Sequence, residues 1–183
     1  FAGNVYLDLD WVNDRLEWSR TVTIPAGTAP IDASHTVTIA EFSVHFSILD
    51  ALLFGRQYAD ARRVGSDDIG QVFLEYPDCD GSYYNSFWGD ITLYGHPAHG
   101  YGCTGGVDDG WWDSTVLHEY GHHLMYEISD ADKDLLADPS HAWCTDKGYR
   151  FAWIEGWATY FAMAMHLAHP FLVRGPNGPA GCQ

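Results

Sequence analysis

The amino-acid sequence predicts an α+β fold, and three of its features lead to that prediction. Short runs rich in β-branched and aromatic residues occur near the start of the chain and again near its middle. Between these runs, apolar residues recur at helical spacing. A glycine-rich stretch then separates these elements from two further segments that carry the apolar faces of helices.

Each predicted element follows from its local pattern. Residues 4–9 and 21–24 have the composition of strands, and a loop rich in Pro and Gly follows them. Residues 40–63 carry large apolar side chains at helical spacing, so we expect a long helix that backs the sheet. Residues 70–76 and 91–94 return to a strand pattern.

A His-Glu-x-x-His motif, formed by His118, Glu119 and His122, lies on the next predicted helix. Positions i and i+4 lie one above the other on a helix, so the two imidazoles can hold one metal ion. The flanking apolar residues extend the helix, with Asp113 or Ser114 expected as its N-cap. The motif is that of a zinc hydrolase, in which Glu119 lies beside the metal as general base.

Glu155 is the predicted third zinc ligand, because a catalytic zinc site takes three protein ligands and leaves one position open. It lies in residues 151–165, which are apolar nearly all round and therefore predict a buried helix. A carboxylate buried there needs a partner, either the metal or a structural ion pair. Other residues near the motif also have ligand chemistry: His123, Asp130, Asp132, Asp134 and His141.

Together, these residues resemble the gluzincins, HExxH peptidases whose third zinc ligand is a glutamate on a second helix. The resemblance implies a zincin-like mixed sheet with an active-site helix, a backing helix and a glutamate helix. Met125 and Ile128 stand where a metzincin would have its glycine and third histidine. The Gly-x-Met-Glu-Asn signature of the aminopeptidase branch is absent, which favours an endopeptidase.

The stretch that begins Asn85-Ser86-Phe87-Trp88 and ends Tyr94-Gly95 resembles the cleft segment of thermolysin-like and fungalysin-like peptidases. In that family, a turn and an edge strand follow these residues. An extended peptide can add to an exposed strand edge through main-chain hydrogen bonds. The resemblance implies that Asn85, Ser86 and Trp88 contact substrate, and the alternative is an aromatic-rich strand without a ligand.

Two departures from the thermolysin-like pattern concern the surroundings of the metal. Thr159 stands where that family has an aspartate that orients a zinc-bound histidine. The histidine or tyrosine that stabilises the oxyanion comes from a helical C-terminal domain in that family, and only 28 residues follow Glu155 here (183 minus 155). Four residues remain candidates for that role, which stays unassigned: His166, His169, Tyr149 and Tyr160.

The composition predicts one compact domain, residues 1–183, that acts as a monomer on a protein or peptide. Hydrophobic residues make up 46% of the chain, which is enough for one core. The net charge of −16 disfavours nucleic acid and anionic membranes as partners. No apolar run approaches the ~20 residues that span a bilayer.

The four cysteines predict an oxidising, extracellular location. Cys79, Cys103, Cys144 and Cys182 show no CxxC spacing, so we expect two disulfides in a secreted mature chain whose leader has been removed. The pairing of neighbours along the chain is preferred among three connectivities. Buried free thiols are the alternative.

Acidic clusters raise the question of calcium as a second metal. The alternating carboxylates of residues 130–134 lack the glycine and the final glutamate of an EF-hand. An irregular calcium site there or at Asp108 and Asp109 is one interpretation, and a solvated acidic loop is the other.

The predicted function is that of a secreted zinc metalloendopeptidase. A zinc exopeptidase or other amide hydrolase would need a basic group that docks a chain terminus, for which Arg150 and Arg174 are the nearest candidates. A non-catalytic zinc-binding protein is the remaining alternative, although a purely structural site closes its fourth position and needs no base beside it.

Overall fold

The computed structural model describes six parts of the chain: residues 5–8, 15–18, 40–63, 69–95, 108–129 and 148–172. They form an α+β structure, as the sequence predicts. Its elements in chain order are strands β1 (Val5–Asp8) and β2 (Arg15–Trp18), helix α1 (Ala40–Asp60), strands β3 (Phe73–Asp78), β4 (Tyr83–Asn85) and β5 (Asp90–Tyr94), a 3-10 turn (Asp109–Trp111), and helices α2 (Asp113–Ile128) and α3 (Tyr149–Ala168).

The central sheet is mixed, with strand order β3-β5-β4. β5 runs parallel to β3 and antiparallel to β4. The expectation that the strand ending at Tyr94 is an edge strand is therefore wrong, because β5 pairs on both sides. β4 is the edge strand on that side of the described sheet, since the tight turn after Asn85 folds β5 back between β4 and β3.

β1 and β2 form a separate antiparallel pair. The predicted strand over residues 4–9 is confirmed as β1. The predicted strand over residues 21–24 lies outside the described residues.

Helix α2 lies at the centre of the structure and contacts α1, α3, β4 and β5. The core lies between these elements, because α1 contributes Val44 and Ile48, the sheet Ile91 and Leu93, and α2 Leu117, all fully buried. α1 packs mainly on α2 and on the 3-10 turn. This arrangement holds α2, and with it the histidine motif, from several sides.

Helix α3 is the predicted apolar helix, but the expectation that it is buried on all sides is wrong. Ile154, Ala158 and Met165 face the core and are fully buried. The opposite side carries large apolar side chains that are more than half exposed, among them Trp153 and Leu167. None of the helices in the described ranges is long and apolar enough to cross a membrane.

Candidate metal centre

The 3-10 turn leads directly into α2, and it sets where that helix begins. The N-cap is Trp112, in an extended conformation and without a side-chain capping bond. The expectation that Asp113 or Ser114 caps the helix is therefore wrong. Asp113 is instead the first helical residue, where a carboxylate interacts favourably with the helix dipole.

Three side chains from α2 and α3 converge on one point. His118 Nε2 lies 3.2 Å from His122 Nε2, as expected for imidazoles one helical turn apart. Glu155 Oε2 lies 3.2 Å from His118 Nε2, and Glu155 Oε1 lies 3.5 Å from His122 Nε2. The structure thus brings together the three residues that the sequence nominates as ligands.

The spacing of these donor atoms fits a small tetrahedral metal ion. A centre that lies about 2.0–2.1 Å from each of its ligand atoms holds those atoms about 3.3 Å apart. The observed separations are 3.2, 3.2 and 3.5 Å, and they join four donor atoms, because each carboxylate oxygen of Glu155 contacts a different imidazole. Two imidazoles and one carboxylate are also a donor set that zinc prefers.

Glu119 is the second carboxylate beside the histidines. His118, Glu119 and His122 form a group that could hold a metal ion, since their ligand atoms lie within 4.8 Å of one another. Two carboxylates therefore compete for the third ligand position. Glu155 contacts both histidines directly, whereas Glu119 is buried and follows His118 about 100° around the helix.

The Glu155 carboxyl is held in its charged form by the two histidines. Burial alone would raise its pKa, but hydrogen bonds with His118 and His122, together with their charge, lower the pKa far below its usual value. An ionised carboxylate is the form that binds a metal. The site therefore brings one ionised carboxylate to two imidazoles, and an imidazole binds a metal through its neutral ring nitrogen.

Helices α2 and α3 approach each other closely at the motif. A Cβ atom at Gly121 would lie 3.0 Å from the Ala158 Cα, so a side chain there would require α3 to move by a few tenths of an ångström. Trp157 Nε1 donates a hydrogen bond of 3.1 Å to the Gly121 carbonyl oxygen. These contacts fix the rotation of α3 that directs Glu155 towards His118 and His122, and sequence spacing alone does not reveal them.

Thr159 lies one helical turn beyond Glu155, on the same side of α3. Its Oγ1 lies 3.4 Å from His118 Nδ1, the ring nitrogen that faces away from the donor cluster. When Nε2 binds a metal, Nδ1 carries the proton and can donate it to a hydroxyl oxygen. Thr159 is thus the neighbour of His118 at the place where the thermolysin-like pattern has an aspartate.

His123 is adjacent to the motif, but its ring points into the core and not towards the cluster. It is 1% exposed and packs between the rings of Tyr84 and Tyr120. Burial lowers the pKa of His123 to about 4, and neither of its ring nitrogens has a hydrogen-bond partner among the described residues. His123 therefore packs in the core as a neutral aromatic ring.

Asp109 is a carboxylate near Glu119 that the sequence suggested only as a calcium ligand. Burial raises the pKa of Asp109; the hydrogen bond from Ser82 opposes this rise, and the charges of Glu119 and Asp108 add to it. Ser82 Oγ donates that bond at 2.6 Å. Asp108 accepts from the Tyr76 hydroxyl at 2.7 Å and from the Gly110 N–H at 3.1 Å. Both carboxylates thus form hydrogen bonds that stabilise the segment leading into α2. The other suggested calcium site, residues 130–134, lies outside the described residues.

The segment proposed to contact substrate forms the end of β4 and the turn after it. Asn85 Oδ1 accepts hydrogen bonds from the Phe87 and Trp88 backbone N–H groups at 3.1 and 3.4 Å. Asn85 therefore has a structural role in the turn, which Gly89 completes with a φ of +74°. The Trp88 ring packs edge-on against Phe87, and both are largely exposed.

None of the four candidates for oxyanion stabilisation reaches the cluster. Tyr149 and Tyr160 are exposed on the side of α3 away from the core. His166 lies eleven residues beyond Glu155, about 16 Å along the helix axis. His169 packs against the rings of Phe54 and Phe171 instead.

Cys79 forms a disulfide, as the cysteine pattern predicts. Its partner lies outside the described residues, so the predicted pairing with Cys103 stays a prediction.

Comparison with known proteins finds a relative of undescribed function. An uncharacterized protein of Archaeoglobus fulgidus is 39% identical to this chain over 146 residues, which cover 76% of the chain and 39% of the relative. The chain thus spans well under half the length of that relative. No protein-family model matches the chain, and no solved structure matches it significantly.

Proposed function

We propose that this chain is a zinc-dependent metallopeptidase, with endopeptidase activity, in which His118, His122 and Glu155 hold the metal. The observation that carries the proposal is the convergence of two imidazole nitrogens with both carboxylate oxygens of Glu155, at contact distances of 3.2–3.5 Å that are close to the edge length of a tetrahedral zinc site. When bound, zinc would lower the pKa of a water molecule to roughly 7 and polarise the substrate carbonyl.

Glu119 is the general base and acid of the proposed reaction. Its carboxylate accepts a proton from the water molecule whose oxygen attacks the peptide carbonyl carbon. As the C–N bond breaks, the same carboxyl delivers that proton to the leaving amine. The position of Glu119 supports this role, because its carboxylate is buried beside the histidines, within 4.8 Å of their ligand atoms.

Glu155 is proposed as the ligand in preference to Glu119 because of where each carboxylate lies. Glu155 already bridges both Nε2 atoms, and its low pKa keeps it anionic. If Glu119 were the ligand instead, Glu155 would be a second carboxylate in contact with both histidines and without a function in catalysis.

The wider context supports the same class of enzyme. The pattern of motifs resembles the gluzincins, and the mixed sheet beside α2 is consistent with a zincin-like domain. The β4 edge, with Asn85, Ser86 and Trp88 at its end, is the proposed binding surface for an extended peptide. The disulfide at Cys79 favours secretion, since disulfides persist in oxidising compartments.

A digestion assay tests this proposal. We expect the zinc-loaded protein to cleave an unstructured protein such as casein, and a chelator to abolish the cleavage. A peptide blocked at both termini should also be cleaved, whereas an exopeptidase that docks a chain terminus, through Arg150 for example, would leave it intact. Zinc bound at one ion per chain without cleavage of any substrate would contradict the proposal and indicate a binding protein.

A further inference from the structure

The exposed side of α3 carries a continuous apolar stripe that its role in the metal centre does not explain. The stripe comprises Tyr149, Trp153, Gly156, Tyr160, Met163 and Leu167. At 100° per residue, these six positions lie within a sector of about 80°. The sector is separate from the core side of the helix, which carries Ile154 and Met165, and from the side that carries Glu155 and Thr159.

The five side chains of the stripe are 62–93% exposed. Side chains of this size present on the order of 800 Å² in total, which is about the area that each partner contributes to a stable protein interface. An exposed apolar patch of this extent on a folded domain marks an interaction site. The described residues leave the stripe uncovered.

The negative net charge of the chain favours a partner whose contact surface with the stripe carries no acidic residues. The chain has a net charge of −16, but the stripe contains no acidic residue. The only carboxylate on α3 is Glu155, which faces α2. A second copy of this chain also carries a net charge of −16, and a contact through the two uncharged stripes keeps acidic side chains of α3 out of the interface.

The order of residues within the stripe is self-complementary for two antiparallel helices. The stripe has spacings of 4, 3, 4, 3 and 4 residues, which read the same in both directions about its centre near residue 158. A two-fold axis at that centre places Tyr149 opposite Leu167, Trp153 opposite Met163, and Tyr160 opposite Gly156. A Cβ atom at Gly156 would meet nothing within 4 Å, so this position is an open recess for the Tyr160 ring of the other copy.

We propose that this stripe is the interface of a homodimer, in which the α3 helices of two copies cross antiparallel about a two-fold axis. Each aromatic ring then packs against a smaller or more flexible residue, and Trp153 gains a sulfur–aromatic contact with Met163. The interface lies on a different side of α3 from Glu155, so it leaves the metal centre accessible. The proposal does not depend on zinc or on peptidase activity.

Sedimentation equilibrium of the whole chain over a range of concentrations tests the dimer. We expect a mass twice that of the chain, and we expect Tyr160→Glu to weaken dimerisation at least about 30-fold, the effect of losing a central interface residue. Phe73→Glu is the matched control, because Phe73 is an exposed aromatic residue on β3, away from the stripe, and this variant should dimerise like the wild type. Circular dichroism confirms that each variant is folded.

Cysteine cross-linking tests the orientation. Positions 153 and 163 are about 15 Å apart along one helix, too far for a disulfide within a chain. The double variant Trp153→Cys/Met163→Cys should therefore cross-link two copies, whereas Trp153→Cys alone should not. A monomeric mass at all concentrations, a dimer that Tyr160→Glu leaves unchanged, or cross-linking by Trp153→Cys alone would overturn the proposal. Binding of monomers to neutral lipid vesicles through the stripe would also overturn the proposal, and would show that the stripe is a membrane-binding surface.

Discussion

At the scale of single residues, the candidate metal centre depends on a few short contacts. The convergence of His118 and His122 is a local property of an α-helix, so the spacing of the motif predicts it directly. The contact of Glu155 with both histidines is a tertiary property, and the sequence could only nominate this residue by its chemistry. Thr159 shows the limit of prediction from sequence, since its contact with His118 becomes visible only in the structure.

We expect Thr159→Val to weaken zinc binding about tenfold, because changes to groups that orient a metal-bound histidine typically have effects of 10- to 100-fold. Valine has the shape of threonine but offers no oxygen to His118 Nδ1. Competition with a chromogenic chelator measures the affinity. Thr159→Ser keeps the hydroxyl and should bind zinc almost as the wild type does. Equal affinity of the Val variant and the wild type would show that the 3.4 Å contact has no positioning role.

The buried ring of His123 predicts a loss of stability in mild acid. Its pKa is about 4 in the folded chain and about 6.5 when unfolded, so the unfolded state binds more protons between these values. The free energy of unfolding should therefore fall as the pH decreases from 6.5 towards 4, by on the order of 2–3 kcal/mol from this residue. Urea titrations of the metal-free protein at pH 7.5 and pH 5 measure this change.

The variant His123→Leu isolates this contribution, because leucine cannot be protonated. We expect the variant to be less sensitive to acid than the wild type, even if it is less stable at pH 7.5. An identical pH dependence in both proteins would contradict the assignment of a buried, neutral His123.

At the scale of elements, the contact between α2 and α3 positions the side chains of the candidate metal centre. Gly121 permits this contact, and the Trp157 hydrogen bond to its carbonyl fixes it. Two glycines on these helices therefore have different roles, since Gly121 faces Ala158 and Gly156 faces open space. This difference gives a matched pair of substitutions.

We expect Gly121→Ala to lower the free energy of unfolding by about 1–2 kcal/mol, because overpacking at ~1–3 kcal/mol exceeds the gain in helix propensity of ~1 kcal/mol. The added methyl group would displace Ala158, and with it Glu155, so zinc affinity should also fall. Gly156→Ala adds the same methyl group in open space and should raise the free energy of unfolding by ~0.5–1 kcal/mol in the monomer.

Chemical denaturation at low protein concentration and chelator competition measure these two effects. Similar changes in both variants would show that the approach of α2 and α3 at Gly121 is not the constraint inferred here.

The elements also show where sequence patterns are sufficient and where they are not. The spacing of apolar residues predicted α1 almost to its last residue, because that helix packs with one side on the core. The run of apolar residues in α3 could not show that one side is exposed, since burial depends on what surrounds the helix and not on its composition. The position of β5 between β3 and β4 likewise depends on long-range pairing that alternation does not encode.

At the scale of the whole molecule, the chain combines a strongly acidic composition with exposed apolar surface, of which the described residues show two prominent parts. The net charge of −16 favours solubility, while the α3 stripe and the Phe87–Trp88 turn present apolar surface. The composition predicted the α+β core but not where these surfaces lie. The Archaeoglobus fulgidus relative extends well beyond the region it shares with this chain, and its function is undescribed. The functional conclusion therefore depends on the metal centre.

The central claim is that Glu155 binds zinc and Glu119 transfers protons. Elemental analysis and casein cleavage by the wild type, Glu119→Gln and Glu155→Gln test it most directly. We predict one zinc ion per chain in Glu119→Gln with cleavage reduced ~10²- to 10⁴-fold, and loss of both zinc and cleavage in Glu155→Gln. A Glu155→Gln variant that retains zinc and cleaves casein, or a Glu119→Gln variant that loses its zinc, would contradict this assignment.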